Sequence, residues 1–175
     1  MKGKLPRLPK HYYRGLAYVF WPHTTENRQP LPLSQGFHAN FRELLCHTCA
    51  RYQLATPVYC LMPDHFHIFW IGQSPDSDQL NATKFFRKEL TPHLGNSQWQ
   101  RQAHDHVVTS DEREKGIYQD TIHYILQNPV LAGIVEDWRD YPYIGALIPG
   151  HPRLERTDPG FNELFWKLYH QTITR

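Results

Sequence analysis

Residues 57–71 read Pro-Val-Tyr-Cys-Leu-Met-Pro-Asp-His-Phe-His-Ile-Phe-Trp-Ile, two aromatic and aliphatic runs on either side of Pro63-Asp64. Branched and aromatic side chains favour a pleated, half-buried surface, and proline followed by aspartate favours a turn. The stretch therefore predicts a hairpin, with Pro57 to Met62 as one strand and His65 to Ile71 as the other. Within the second strand Phe66, Ile68 and Trp70 point one way, and Phe69 and Ile71 the other. Apolar groups on both faces mark a covered, central strand.

Working outward, Tyr12 to Trp21 reads as a strand that closes at Pro22, and Gln29 to Leu33 as a proline-rich loop. From Ser34 to Tyr52 the residues Phe37, Phe41, Leu44, Leu45 and Tyr52 recur at helical spacing. After the hairpin, a helix spans Gln79 to Leu90, and a short strand spans His106 to Thr109. Ser110 or Asp111 caps a helix to about Gln127, where Pro129 interrupts it. Asn128-Pro129 reads as the cap and first position of another short helix ending near Gly133. Asp158-Pro159 opens a C-terminal helix with Phe161, Leu164, Phe165, Leu168 and Tyr169 on one stripe. This order implies an α+β fold, an antiparallel sheet with helices packed on a face.

The bulk composition narrows the class. Hydrophobic residues at 40% and charged residues at 21% are ordinary for a globular chain of 175 residues. No apolar run is long enough to span a bilayer, and no apolar segment follows the basic start Met1-Lys2-Gly3-Lys4. Three cysteines without an export signal imply a reducing, cytoplasmic setting. Net charge is only +2, but its distribution is uneven. Lys2, Lys4, Arg7, Lys10 and Arg14 precede the first acid at Glu26, and Lys84, Arg87 and Lys88 form a second cluster. Such clusters can neutralise DNA phosphates, or can simply be solvated.

Chemistry has few candidates. His65 and His67, two apart on a strand, share a face and can converge on one ion. Twelve histidines make such pairs common by chance, and His104 with His106 is another. A buried pair needs partners, which either a shared metal or hydrogen bonds would supply. Tyr124 and Asn128 lie one helical turn apart. A phenol is a poor nucleophile unless its target is polarised, which a cation on a phosphate oxygen would do. Cys46 and Cys49, at helical i, i+3 spacing with no second cysteine pair, read as small core hydrophobes rather than zinc ligands. Tyr118 lies too far round the helix from Tyr124 for a paired-tyrosine site.

A resemblance sharpens this reading. Met62-Pro63-Asp64-His65-Phe66-His67-Ile68-Phe69 resembles the histidine-hydrophobe-histidine block of the HUH single-tyrosine transposases. Trp99-Gln100, Asp105-His106-Val107-Val108, the block from His123 through Asn128-Pro129 to Val135, and Asp140-Tyr141-Pro142-Tyr143 follow in order. Together they are similar to the REP-associated tyrosine transposases over roughly residues 10–147. The resemblance implies a ferredoxin-like core with the histidines on a central strand. It implies Mg²⁺ or Mn²⁺ held by His65, His67 and Asn128, and Tyr124 as the nucleophile forming a 5′-phosphotyrosine link. The implied partner is single-stranded DNA beside a palindromic hairpin, bound by a monomer or dimer; a hairpin-binding module without turnover is the alternative. Asp64 stands where asparagine is common, Ala103-His104 departs from the family pattern, and nothing from Pro149 onward aligns. The expected layout is a transposase domain over 1–148 and a C-terminal extension over 149–175.

Overall fold

A computed structural model describes residues 7–173 of the chain. Five strands and five α-helices run in the order β1 (Tyr18–Thr24), α1 (Gln35–Tyr52), β2 (Leu54–Leu61), β3 (His65–Gly72), α2 (Gln79–Leu90), β4 (His106–Val107), α3 (Ser110–Glu114), α4 (Ile117–Leu131), β5 (Ile144–Leu147) and α5 (Phe161–Thr172). The strands form one sheet in the order β4-β1-β3-β2-β5, every neighbouring pair antiparallel. The fold is therefore α+β, as expected.

The hairpin forms where the sequence places it, and Met62 N–H donates to His65 C=O across the turn. Every residue of β2, and every residue of β3 after His65, is buried. That burial is the covered central position which the two-sided apolar pattern implies. Helices cover both faces rather than one. On the first face α1 and α2 enclose Trp21, Phe66, Trp70, Phe41 and Phe86. On the second, α4 and α5 pack Ile125, Phe165 and Tyr169 against Val58, Phe69 and Ile71. The C-terminal helix thus contributes directly to a core, and Tyr169 Oη donates to Gly72 C=O at 2.7 Å.

Several boundaries differ from expectation. Tyr12 belongs to a short 3-10 turn, and β1 begins later and runs through Pro22. The hydrogen bonds from Gly72 N–H to Ala17 C=O and from Thr25 N–H to Asp64 C=O show that odd-numbered residues of β1 bond to β3. Pro22, even-numbered, turns its nitrogen toward the other side, where β4 pairs only with Val19 and Phe20. The missing N–H therefore breaks no ladder bond. The single helix expected from residue 110 to 127 is two, divided at Gly116, whose φ of +83° is left-handed. Its cap is Thr109, in a reciprocal capping box with Glu112.

Pro129 does not end α4, which continues to Leu131. Asn128 is therefore inside the helix and caps no new one. The end comes at Gly133, φ +69°, where Gly133 N–H donates to Val130 C=O and Ile134 N–H to Pro129 C=O, a Schellman closure. Strand β5 is an addition. It pairs with β2, and the Tyr141 hydroxyl before it donates to Leu61 C=O at 2.7 Å, bracing the strand end that leads into the His65 turn.

Candidate active site

His67 points from β3 toward the α4 side of the sheet and is 4% exposed. Helix α4 buries Ile122, Ile125, Leu126 and Pro129. That stripe directs Tyr124 and Asn128, one turn apart, to the edge facing His67. The Tyr124 ring lies edge-on to His67 at 5.7 Å between centroids and to Phe20 at 6.2 Å. Tyr124 is 47% exposed, on a surface that a large substrate can reach. The structure therefore brings His65, His67, Tyr124 and Asn128 into one surface site.

Hydrogen bonds orient each group. Asn128 Nδ2 donates to Tyr124 C=O at 2.8 Å, which turns Oδ1 toward the sheet. His67 Nε2 donates to that Oδ1 at 3.2 Å. His65, its ring centroid 4.8 Å from that of His67, donates from Nδ1 to Asp64 Oδ1 at 2.5 Å. That bond leaves the lone pair of neutral His65 on Nε2. The Arg28 guanidinium bonds the other Asp64 oxygen at 3.1 Å. Burial, the His65 ring and the Arg28 charge together push His67 down to about 3, against a favourable bond to Asn128. The imidazole is consequently neutral at neutral pH, the form that can coordinate a cation.

The donor set fits a divalent cation. Two donors at right angles, each about 2.1 Å from one ion, lie about 3 Å apart, close to the His67–Asn128 separation. His67 Nδ1, on the other side of the ring, is buried without a hydrogen-bond partner. Among the described residues no group of three or more His, Cys, Asp or Glu side chains gathers as a metal cluster. The set is instead two imidazoles and one amide oxygen.

Asp64 and Arg28 are the site residues that sequence reasoning missed. Asp64 reads as a turn former, and a carboxylate next to His65 was the available signal. Arg28 carries no local signal at all.

The basic residues distribute differently. Lys2 and Lys4 lie outside the described residues. Arg7 is tied to Asp105 at 2.6 Å and to Ala103 C=O, and Arg14 to Asp78 at 3.2 Å. Lys10 and Lys84 are exposed, and Lys88 is exposed beside Glu89. Arg87 lies over Trp99. Arg7, Lys84, Arg87 and Arg101 line one cavity of about 450 Å³. Its lining from α2 and from Arg101, Gln102 and Ala103 contains no residue of α4, which carries Tyr124. The other candidates resolve as packing or surface groups. Cys49 is buried, Tyr118 packs edge-on among Tyr18, Phe69 and Trp166, and His106 pairs with Glu112 at 3.2 Å.

No family model matches the chain. A Haemophilus influenzae protein named "Putative REP-associated tyrosine transposase" is 32% identical over 120 residues, covering 59% of this chain and 65% of that protein. The match thus spans slightly less than two thirds of that relative. An Escherichia coli REP-associated tyrosine transposase is 23% identical over 139 residues, covering 77% of this chain and 78% of that one. A solved structure of a REP-associated tyrosine transposase bound to a REP hairpin superposes with a TM-score of 0.67 at 21% identity, covering 81% of each chain. The resemblance read from the blocks is thereby borne out: the chain has homologues of that name and shares the fold of one.

Proposed function

We propose that this chain, similar to the REP-associated tyrosine transposases, cuts and rejoins single-stranded DNA next to a palindromic hairpin with Tyr124 as nucleophile. The observation that carries the reading is the Tyr124 ring against His67, with Asn128 one turn away and bonded to that histidine. A lone exposed tyrosine is ordinary; one fixed beside a strand-borne histidine pair is not.

In this reading the Tyr124 Oη attacks the scissile phosphorus in line with the departing 3′ oxygen. The new bond is Tyr124 O–P, the broken bond P–O3′, and the products are a 5′-phosphotyrosine and a 3′-hydroxyl. The phenolic proton goes to solvent and the 3′ oxygen takes one up. One phosphodiester replaces another, so the reverse step rejoins DNA without a nucleotide cofactor. His65, His67 and Asn128 would hold Mn²⁺ or Mg²⁺, which when bound supplies Lewis-acid polarisation of a phosphate oxygen; two imidazoles favour Mn²⁺ over Mg²⁺. The remaining work belongs to the chain. Asn128 fixes the height of the Tyr124 turn through its bond to the 124 carbonyl, and Phe20 limits the swing of the ring.

The test mixes the protein with a labelled single-stranded oligonucleotide that carries a hairpin, adds Mn²⁺, and runs a denaturing gel. A covalent adduct absent from Tyr124→Phe is the expected outcome. Binding without any adduct would make the chain a hairpin-binding module, and free fragments without adduct would make it a water-using hydrolase.

A further inference from the structure

Arg156 lies between β5 and α5, in the part of the chain where no transposase block aligns, and only 9% of it is exposed. Its guanidinium rests on Phe161 at 4.3 Å, with Trp138 at 5.9 Å. Nη1 donates to Asn162 Oδ1 at 3.3 Å, while Nε is buried with no hydrogen-bond partner. Among the described residues it forms no ion pair with any carboxylate. A guanidinium stays charged at neutral pH, and a buried charge without a counter-ion is a strongly unfavourable arrangement. Such a group calls for an anion.

The space for one is present. Arg156 lines a cavity of about 330 Å³ together with Tyr118, Gln119, His123, Asn162 and Trp166. No acidic side chain lines it. Gln119 and Asn162 add neutral amide donors, and a guanidinium fork matches two phosphate oxygens at once. Gln119 and His123 stand on α4, the helix that also carries Tyr124, with His123 immediately before it.

We propose that this cavity is an anion subsite that holds a backbone phosphate of the DNA strand on which Tyr124 acts. The proposal rests on the functional reading above. A phosphate here would couple substrate binding to the position of α4, through a residue that the C-terminal segment supplies.

The test measures binding of the hairpin oligonucleotide by anisotropy across a salt series, in a Tyr124→Phe background so that no adduct forms. Arg156→Met keeps the apolar stem against Phe161 but removes the charge. It should weaken binding on the order of tenfold and reduce the log–log salt slope by about 0.7. Gln119→Glu, at an exposed rim position, should raise the thermal midpoint of the free protein by supplying the absent counter-ion, yet weaken DNA binding. Arg156→Lys should retain the slope. Unchanged affinity and slope in Arg156→Met would reduce the guanidinium to packing and overturn the proposal.

Inorganic phosphate separates the sources. If it raises the midpoint of the parent but not of Arg156→Met while DNA affinity is equal in both, the site takes a free anion and the DNA assignment fails. A parent that binds no oligonucleotide refutes the functional reading instead, and the phosphate arm still reports on the anion site.

Discussion

Asp64 follows a proline in a tight turn, and turn formation is all that its sequence context implies. In three dimensions it does more, because its carboxylate accepts from His65 Nδ1 while Arg28 holds its second oxygen. Burial alone would raise the Asp64 pKa, but the His65 bond and the Arg28 charge outweigh it and the net shift is downward. An ionised acceptor there fixes the His65 tautomer and its ring orientation. Outer partners of this kind typically contribute 10- to 100-fold in metal affinity, by order of magnitude. Asp64→Ala should therefore raise the Mn²⁺ concentration for half-maximal adduct formation by about that factor, with Asp64→Asn, an uncharged acceptor, in between. A Mn²⁺ titration read on the same gel checks this, and an unshifted midpoint would mean that packing alone orients His65. At this scale the sequence was informative about which residues could act and not about their company. Spacing alone does not separate His65 and His67 from the histidines at 104 and 106, yet His106 ends on the surface beside Glu112.

Among the elements, α4 matters most, since both Tyr124 and Asn128 ride on it. Periodicity located the helix but misread both ends. Gly116 sets its start and Gly133 its finish, while Pro129 is tolerated because it removes a single N–H near the C-terminus. No neighbouring atom lies within 4 Å of a Cβ built on Gly116. The cost of Gly116→Ala is then purely the left-handed backbone, about 1–2 kcal/mol, measurable as a lower midpoint in urea. A variant as stable as the parent would show that the α3–α4 joint relaxes without strain. Strand β5 escaped notice for a different reason. Four residues, Ile144-Gly-Ala-Leu, carry too little alternation to signal a strand, and their pairing with β2 defines them.

At the scale of the whole molecule, one sheet divides two cores, and buried histidines make the first of them sensitive to acid. His23 sits in the stack of Trp21 and Phe66 with neither ring nitrogen bonded. Burial, followed by the Arg87 charge and the nearby His67 and Arg7, holds its pKa well below the ordinary histidine value. Burial and then Arg42 bring His38 down to about 4. Both are neutral in the folded chain and take up protons near 6.5 once unfolded. Their stabilising contribution is complete above about 6.5 and shrinks as pH falls toward the folded values, because the unfolded state then binds more protons. Urea midpoints should fall as pH drops from about 6.5 toward 4, each group contributing at most about 1.4 kcal/mol per pH unit. His38→Gln should flatten the dependence; a slope identical to that of the parent would exclude His38 as a contributor.

Local chemistry sufficed for the hairpin, the central strand, α1, α2 and the α+β class, because hydrophobic period, turn formers and caps act between residues close in the chain. The transposase resemblance was legible in the same way, from short ordered blocks. What needed the tertiary structure was every meeting across distance: α4 laid over β3 so that Tyr124 reaches His67, Asp64 and Arg28 closing on His65, and Arg156 buried beside the helix that carries Tyr124. Those arrangements depend on which faces pack together. A side chain's partners sixty residues away leave no trace in its own neighbourhood of sequence.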